Sequence, residues 1–136
     1  EPQSIEAKKG TFIEGKIASA GVSGFEPLDD QSINRWHKNR ISSGALTISW
    51  YLTAPHRTST WDYYITKPNW NQNKPLKFTD FELIKQIDDH GKIPSKVVNQ
   101  QITIPKDRKG DNVILAVWNI SDTVNAFYQV IDVTIQ

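Results

Sequence analysis

Three histidines are the imidazole ligands that this cysteine-free chain could offer to a metal ion. His56 follows Ala54 and Pro55, and the proline ring stiffens the loop so that the imidazole is held in one direction. Imidazole nitrogens suit copper, zinc or iron, but one imidazole is not a site. His37 lies between basic residues and His90 lies in a turn-like sequence, so neither is placed to complete one. From residue chemistry alone, an exposed loop histidine is the commoner account of His56.

A second segment with possible chemistry is "SDTVNAFYQV", residues 121–130. Asp122, Thr123 and Asn125 are turn formers, and a structural role in a turn is their ordinary explanation. Phe127 opens the last apolar run, where core packing is the ordinary explanation. The chain has no Gly-rich phosphate loop, no Gly-x-Ser-x-Gly elbow and no His-Glu-x-x-His motif. Its lack of cysteine excludes disulfides, Cys-ligated zinc and thiol catalysis.

The elements that must position these residues are β-strands, because apolar residues alternate with a period of two. In "ALTISWYLTA", Leu46, Ile48, Trp50 and Leu52 share one face, and in "TWDYYITK" every second residue is again apolar. "QQITIP" predicts a short strand, "NVILAVWNI" a central strand covered on both faces, and "FYQVIDVTIQ" the closing strand. The segment 79–87 fits a strand or a capped helix equally well.

Turn sequences separate these strands, which predicts an all-β protein with an antiparallel β-sandwich and a long loop-rich N-terminal region. "DDHGKIP" and the basic cluster "KDRKG" are both interpreted as solvated turns. At 136 residues, the chain is expected to form a single domain, residues 1–136. A net charge of +1 favours neither nucleic acid nor an anionic membrane as a partner.

Long motifs in this chain resemble one family specifically. They are "EPQSIEA" followed by "GKIASAG", then "TAPHRTSTWDYYITKPNW", then "VILAVWNISDTVNAFYQVIDV", in this order. They resemble bacterial chitin-active lytic polysaccharide monooxygenases, the copper-dependent family formerly classed as chitin-binding modules. The resemblance spans essentially the whole chain, and it implies a fibronectin- or immunoglobulin-like β-sandwich with a flat face and one copper ion.

The resemblance also implies roles for particular residues around copper. His56 matches the second histidine of a "histidine brace", whose first histidine is the first residue of the mature protein. Phe127 matches the ring that blocks the axial position, and Ala54 matches the small residue beside the open coordination site. Glu6 matches a carboxylate that positions the oxygen species or its protons. Trp118 matches a buried tryptophan near the metal, with core packing and electron relay as rival accounts.

Substrate contact is expected on the flat polar face. Glu1, Glu6, Asp122 and Asn125 match positions that touch chitin chains in the family. The family's mature start lies upstream of "EPQS", so the resemblance places the first histidine ligand outside these 136 residues. A chain that began at Glu1 is therefore expected to bind copper poorly and to show little activity by itself.

The function that the resemblance implies is copper-dependent oxidative cleavage of crystalline chitin. It would proceed by hydroxylation at C1, with hydrogen peroxide or with dioxygen and an external electron donor. The alternative is a chitin- or GlcNAc-glycan-binding module without catalysis, and the missing first histidine favours that alternative for the chain alone. Further expectations are a related β-1,4-linked polysaccharide as the other possible substrate, a monomeric state and secretion from the cell.

Overall fold

The computed structural model describes residues 5–10, 12–23, 26–31 and 37–136, with the side chains of residues 26 and 27 left aside. Within these ranges the chain forms eight β-strands and two short 3-10 helices. The helices are Glu26–Asp29 and Phe78–Asp80. The strands are β1 (Ile5–Lys8), β2 (Asn39–Ile41), β3 (Gly44–Tyr51), β4 (Thr58–Thr66), β5 (Phe81–Lys92), β6 (Val97–Ile104), β7 (Gly110–Ile120) and β8 (Asn125–Ile135).

The strands are arranged in two sheets. The larger sheet has the order β1-β8-β7-β4-β5, with antiparallel pairing throughout this path. β2 also pairs with β8, in parallel, beyond the residues that β1 uses. β3 and β6 form the smaller antiparallel sheet. The predicted antiparallel β-sandwich is confirmed, and the parallel pairing of β2 is an addition to it.

The apolar alternation predicted for β3 and β4 builds the core between the two sheets. Trp61, Tyr63 and Ile65 of β4 are completely buried, and they pack in one cluster with Trp50 of β3 and with Leu52, which directly follows β3. A second cluster covers the other face of the larger sheet with loop residues such as Ile17 and Leu76. β7 is therefore covered on both faces, as its continuous apolar sequence predicts.

The prediction of a solvated turn at "DDHGKIP" is wrong for its first residues. Residues 88–92 belong to β5, and the pairing with β4 shifts register between Thr58 and Thr60. His90 and Gly91 there adopt positive φ angles of 52° and 81°, as in a β-bulge. Asp89 accepts a hydrogen bond from Trp61 Nε1 at 2.8 Å. The turn-forming residues of this segment thus form a bulge inside the long strand β5.

The prediction that "KDRKG" is a solvated turn is wrong for Arg108. Its side chain is 3% exposed. Nε donates to the Thr66 carbonyl at 2.8 Å, and the guanidinium also pairs with Glu82 and Asp107. An arginine can be buried in this way when every part of its planar fork meets an acceptor.

The described part of the N-terminal region consists mainly of loops that connect β1, a 3-10 helix and β2. Because several of its residues lie outside the described ranges, the loop-rich character of the whole region stays a prediction. Among the described residues, no helix has the length and apolarity needed to span a bilayer.

Candidate functional site

The loop that carries His56 joins β3 to β4, and hydrogen bonds hold both of its ends to neighbouring parts of the fold. Leu52 N donates to the Lys96 carbonyl at 2.7 Å where the loop begins. At its end, Thr58 Oγ1 donates to the His56 carbonyl at 3.0 Å and accepts from Trp118 Nε1 at 2.7 Å. These bonds fix the backbone of His56 and leave its imidazole to face the surroundings.

The ring of His56 lies against two aromatic side chains from neighbouring strands. Its centroid is 6.0 Å from that of Phe127, with only 17° between the ring planes, and 5.7 Å from that of Trp118. Phe127 and Trp118 stack on each other at 5.0 Å. Trp118 in turn stacks on Trp61 at 5.2 Å and 3°. The half-buried histidine is therefore held by a stack of rings that continues into the core.

Beside Phe127, the larger sheet brings two polar residues to the same end of the molecule. Glu6 on β1 lies opposite Phe127 in the β1–β8 register. Asn125 Nδ2 donates to Glu6 Oε2 at 2.8 Å. Glu6 is exposed, so its carboxylate is held in position without being removed from solvent.

A cavity of ≈ 520 Å³ opens next to these residues, between the smaller sheet and β7–β8. His56, Ala54, Trp118 and Phe127 line it. Gln129 contributes a polar wall, and the remaining lining comes largely from β3 and the residues that follow it. The structure thus collects four of the predicted site residues around one open space.

The remaining predicted residues are distributed as follows. Asp122 is exposed in the loop between β7 and β8, three residues before Asn125, with which β8 begins. Glu1 lies outside the described residues. His90 is exposed on β5, where Nδ1 is 3.4 Å from Asp88, and His37 is exposed just before β2. Neither histidine joins the cluster around His56 in this structure.

Thr58 is a residue that the sequence reasoning missed. It is completely buried and bridges the His56 backbone to the Trp118 indole. A threonine at the start of a strand gives no signal by itself, because the residue type is common there. Its role becomes visible only when β4 and β7 are paired.

Comparison with known proteins places this β-sandwich and its histidine site in one class. Residues 1–133 match a family model described as "Lytic polysaccharide mono-oxygenase, cellulose-degrading". Because the match covers almost the whole chain, this protein belongs to the lytic polysaccharide monooxygenase family. The family, the enzyme class and the sandwich predicted from the sequence are confirmed.

Two curated relatives illustrate the similarity. A lytic chitin monooxygenase of Enterococcus faecalis is 65% identical over 136 residues, which are 100% of this chain and 70% of that protein. GlcNAc-binding protein A of Shewanella oneidensis is 47% identical over 140 residues, which cover 98% of this chain but only 29% of that protein. The chain therefore spans less than a third of the longer relative.

Two solved structures extend the comparison to three dimensions. An X-ray photoreduction structure of a polysaccharide monooxygenase, CBM33, superposes with a TM-score of 0.97 at 65% identity, covering 100% of this chain and 82% of that one. A Bacillus amyloliquefaciens CBM33 in complex with Cu(I) superposes with a TM-score of 0.93 at 46% identity, covering 100% and 80%. Copper as the family's cofactor, with an external reductant, is thereby confirmed.

The described residues fit one side of a copper site. His56 supplies an imidazole, a ligand type that copper prefers, at the wall of an open cavity and braced by two rings. Among residues 5–10, 12–23, 26–31 and 37–136, no group of three or more His, Cys, Asp or Glu side chains is arranged to hold a metal. His56 is therefore the residue through which the described part of the chain would bind the ion.

Proposed function

We propose that this chain is the catalytic domain of a lytic polysaccharide monooxygenase that cleaves crystalline chitin oxidatively, by hydroxylation at C1. The observation that carries the proposal is the placement of His56 against Phe127 at an open cavity, next to the Glu6–Asn125 pair. Family membership and the 65% identity to a lytic chitin monooxygenase support it.

We assign His56 as a copper ligand, and bound copper would supply the redox chemistry that activates hydrogen peroxide or dioxygen. Phe127 packs nearly parallel to the imidazole and so limits the directions from which that ring can be approached. Trp118 supports both rings from the core. Ala54 is small and exposed at the cavity wall, so it leaves room for a small oxidant beside His56.

Glu6 is assigned to proton handling and to orientation of the substrate. Asn125 Nδ2 donates a hydrogen bond to Glu6 Oε2, and this bond orients the carboxylate. Glu6 Oε1 is then the atom that holds or delivers a proton near the cavity. Asn125, Glu6 and the exposed Asp122 present amide and carboxylate groups that suit the hydroxyls and acetamides of a flat polysaccharide surface. Glu1 is assigned to the same surface on the resemblance alone.

Chitin is favoured over cellulose as the substrate. The family description names cellulose, whereas the two curated relatives are named for chitin and for GlcNAc. The 65% identity to the lytic chitin monooxygenase supports chitin. A non-catalytic glycan-binding module is the less favoured alternative. We further propose secretion, a monomeric state, and no nucleic-acid or membrane partner.

The test is product analysis by mass spectrometry on β-chitin with ascorbate and copper. It uses the full-length protein in which this chain occurs. We expect C1-oxidised oligosaccharides from the wild type and a fall of roughly 100-fold or more for His56→Ala, since a metal ligand is removed. His90→Ala, a histidine on the exposed bulge, serves as the matched control and should retain full activity. Chitin binding by the wild type without oxidised products would overturn the proposal and support the binding module.

A further inference from the structure

The outer face of the smaller sheet has an unusual composition. Alternate residues of β3 and β6 point away from the core, and all eight are exposed. Not one of them is charged, although charged residues make up 23% of the chain. The eight residues, called here the lateral face, are Ala45, Thr47, Ser49 and Tyr51 of β3 and Val97, Asn99, Gln101 and Thr103 of β6.

The register arranges the lateral face as four cross-strand pairs. Thr47 lies opposite Gln101, and Ser49 lies opposite Asn99. Directly opposed residues of an antiparallel pair lie on the same side of the sheet. Ser49 Oγ donates to Asn99 Oδ1 at 2.6 Å, which holds that amide in one orientation. The result is a row of hydroxyl and amide groups on a strand pair roughly 25 Å long.

An aromatic side chain ends this row on the side nearest His56. Tyr51 is 77% exposed and lies opposite Val97, which is 49% exposed. Tyr51 and Ser49 also contribute to the wall of the cavity that His56 lines. The lateral face is therefore continuous with the proposed catalytic end of the molecule.

We propose that the lateral face is a second contact surface for an uncharged β-1,4-linked polysaccharide, in addition to the face around His56. This inference rests on the proposed function, because it extends the surface that the same substrate would touch. Hydroxyl and amide side chains both donate and accept hydrogen bonds, as the hydroxyl and acetamide groups of such a polymer do. The ring of Tyr51 offers its electron-rich face to the C–H edges of a sugar ring.

The absence of charge on the lateral face favours a neutral polysaccharide over a charged ligand. A neutral face neither attracts nor repels a neutral polymer, and it avoids the desolvation of charges that close contact would require. The lateral face also adjoins the His56 cavity through Ser49 and Tyr51, so the two proposed contact surfaces are neighbours. A second copy of the protein is the competing occupant, since a neutral sheet face can also pack against its like.

The test places charges on the lateral face of the full-length protein. Thr47→Glu combined with Gln101→Glu should weaken depletion binding to crystalline chitin about tenfold, and Tyr51→Ala should weaken it by a similar factor. Thr79→Glu, an exposed threonine on a 3-10 helix away from β3 and β6, is the matched control. Circular dichroism melting of each variant verifies that it is folded, and sedimentation velocity gives its oligomeric state.

The outcomes separate the two proposals. Weaker binding of the lateral-face variants, with unchanged binding of the Thr79 variant, supports the second surface. Wild-type binding in all of them would overturn this inference and leave the proposed function standing. A wild-type dimer that the lateral-face charges dissociate would also overturn it, in favour of a second copy. If the wild type neither binds nor oxidises chitin, the proposed function fails, and this inference fails with it.

Discussion

The two ends of the larger sheet differ in whether their polar groups are bonded within the fold or left accessible to solvent. At the end opposite His56, Arg108 is buried and meets Thr66, Glu82 and Asp107, so its hydrogen bonds are used within the fold. At the His56 end, Glu6 is exposed and is only oriented by a neighbour. Saturated polar groups stabilise a structure, whereas oriented but accessible ones remain able to bind a ligand. The closed end is therefore expected to govern stability and the open end activity.

The largest effect is expected from Arg108→Met at the closed end, where stability should fall and activity should not. The substitution removes the charged donor of the buried Thr66 carbonyl and the shared partner of the exposed Glu82 and Asp107, which should cost about 3 kcal/mol of unfolding free energy. Urea denaturation measures that loss, and oxidation rates per folded molecule should stay at the wild-type value. Arg40→Met, an exposed arginine on β2, is the control. A stability change below that of the control would contradict the assignment of the closed end.

For Glu6→Gln at the open end we expect the reverse, a loss of activity with little change in stability. Glutamine keeps the shape and the acceptor for Asn125 but cannot exchange a proton, so the oxidation rate should fall roughly 100-fold. Stability should change by less than about 0.5 kcal/mol, because the residue is exposed. Glu14→Gln, another exposed glutamate, provides the control in both assays. An unaltered rate would show that Glu6 takes no part in the chemistry.

Trp118 is a buried residue at the His56 end, and Trp118→Phe separates its rival roles. Loss of the indole N–H leaves Thr58 Oγ1 without its donor, which should lower stability by about 1–3 kcal/mol. If Trp118 only packs, initial oxidation rates of the folded variant match the wild type. If it relays electrons, the variant also inactivates faster when peroxide is supplied without polysaccharide. Stopped assays at several peroxide concentrations distinguish these two results.

The smallest effect is expected at Asp132, near the closed end. Burial raises the pKa of its carboxyl to about 6, with Asp111 adding to the rise and Lys38 opposing it. Because the folded-state pKa lies above the unfolded value, the contribution of this group to stability is fully present below about pH 4 and is lost as the pH rises through about 6. Because the group is partly exposed, the decline attributable to it is on the order of 1 kcal/mol. Thermal melts of Asp132→Asn should lack that component, and an identical pH profile would refute it.

The strands could be predicted from the sequence because each of the long ones has a buried face. The alternation of Leu46, Ile48 and Trp50 is imposed by the core that β3 covers. β1 and β2 have four and three residues, too few for a period to be recognised. The bulge at His90 was hidden because the residues that favour turns also favour positive φ inside a strand. Arg108 was hidden because its burial depends on partners from β4 and β5 that are distant in sequence.

The site was predictable only in part. Residue chemistry alone favoured a loop histidine for His56, and the resemblance supplied the roles of Phe127 and Glu6. The structure brings these residues together, while their roles in copper chemistry stay proposals. The Thr58 bridge and the lateral face depend on strand pairing, so no local pattern could reveal them.

The hydrogen bonds that hold the His56 loop determine which of its residues can be substituted during evolution. The loop is positioned through a backbone carbonyl, a strand residue, a core ring and the bond from Arg57 to the Gly91 carbonyl, and not through the exposed side chain of Thr53. That position is therefore free to vary while the imidazole stays where it is. Mutational drift, or deliberate engineering, has room to alter what surrounds His56 without disturbing its placement.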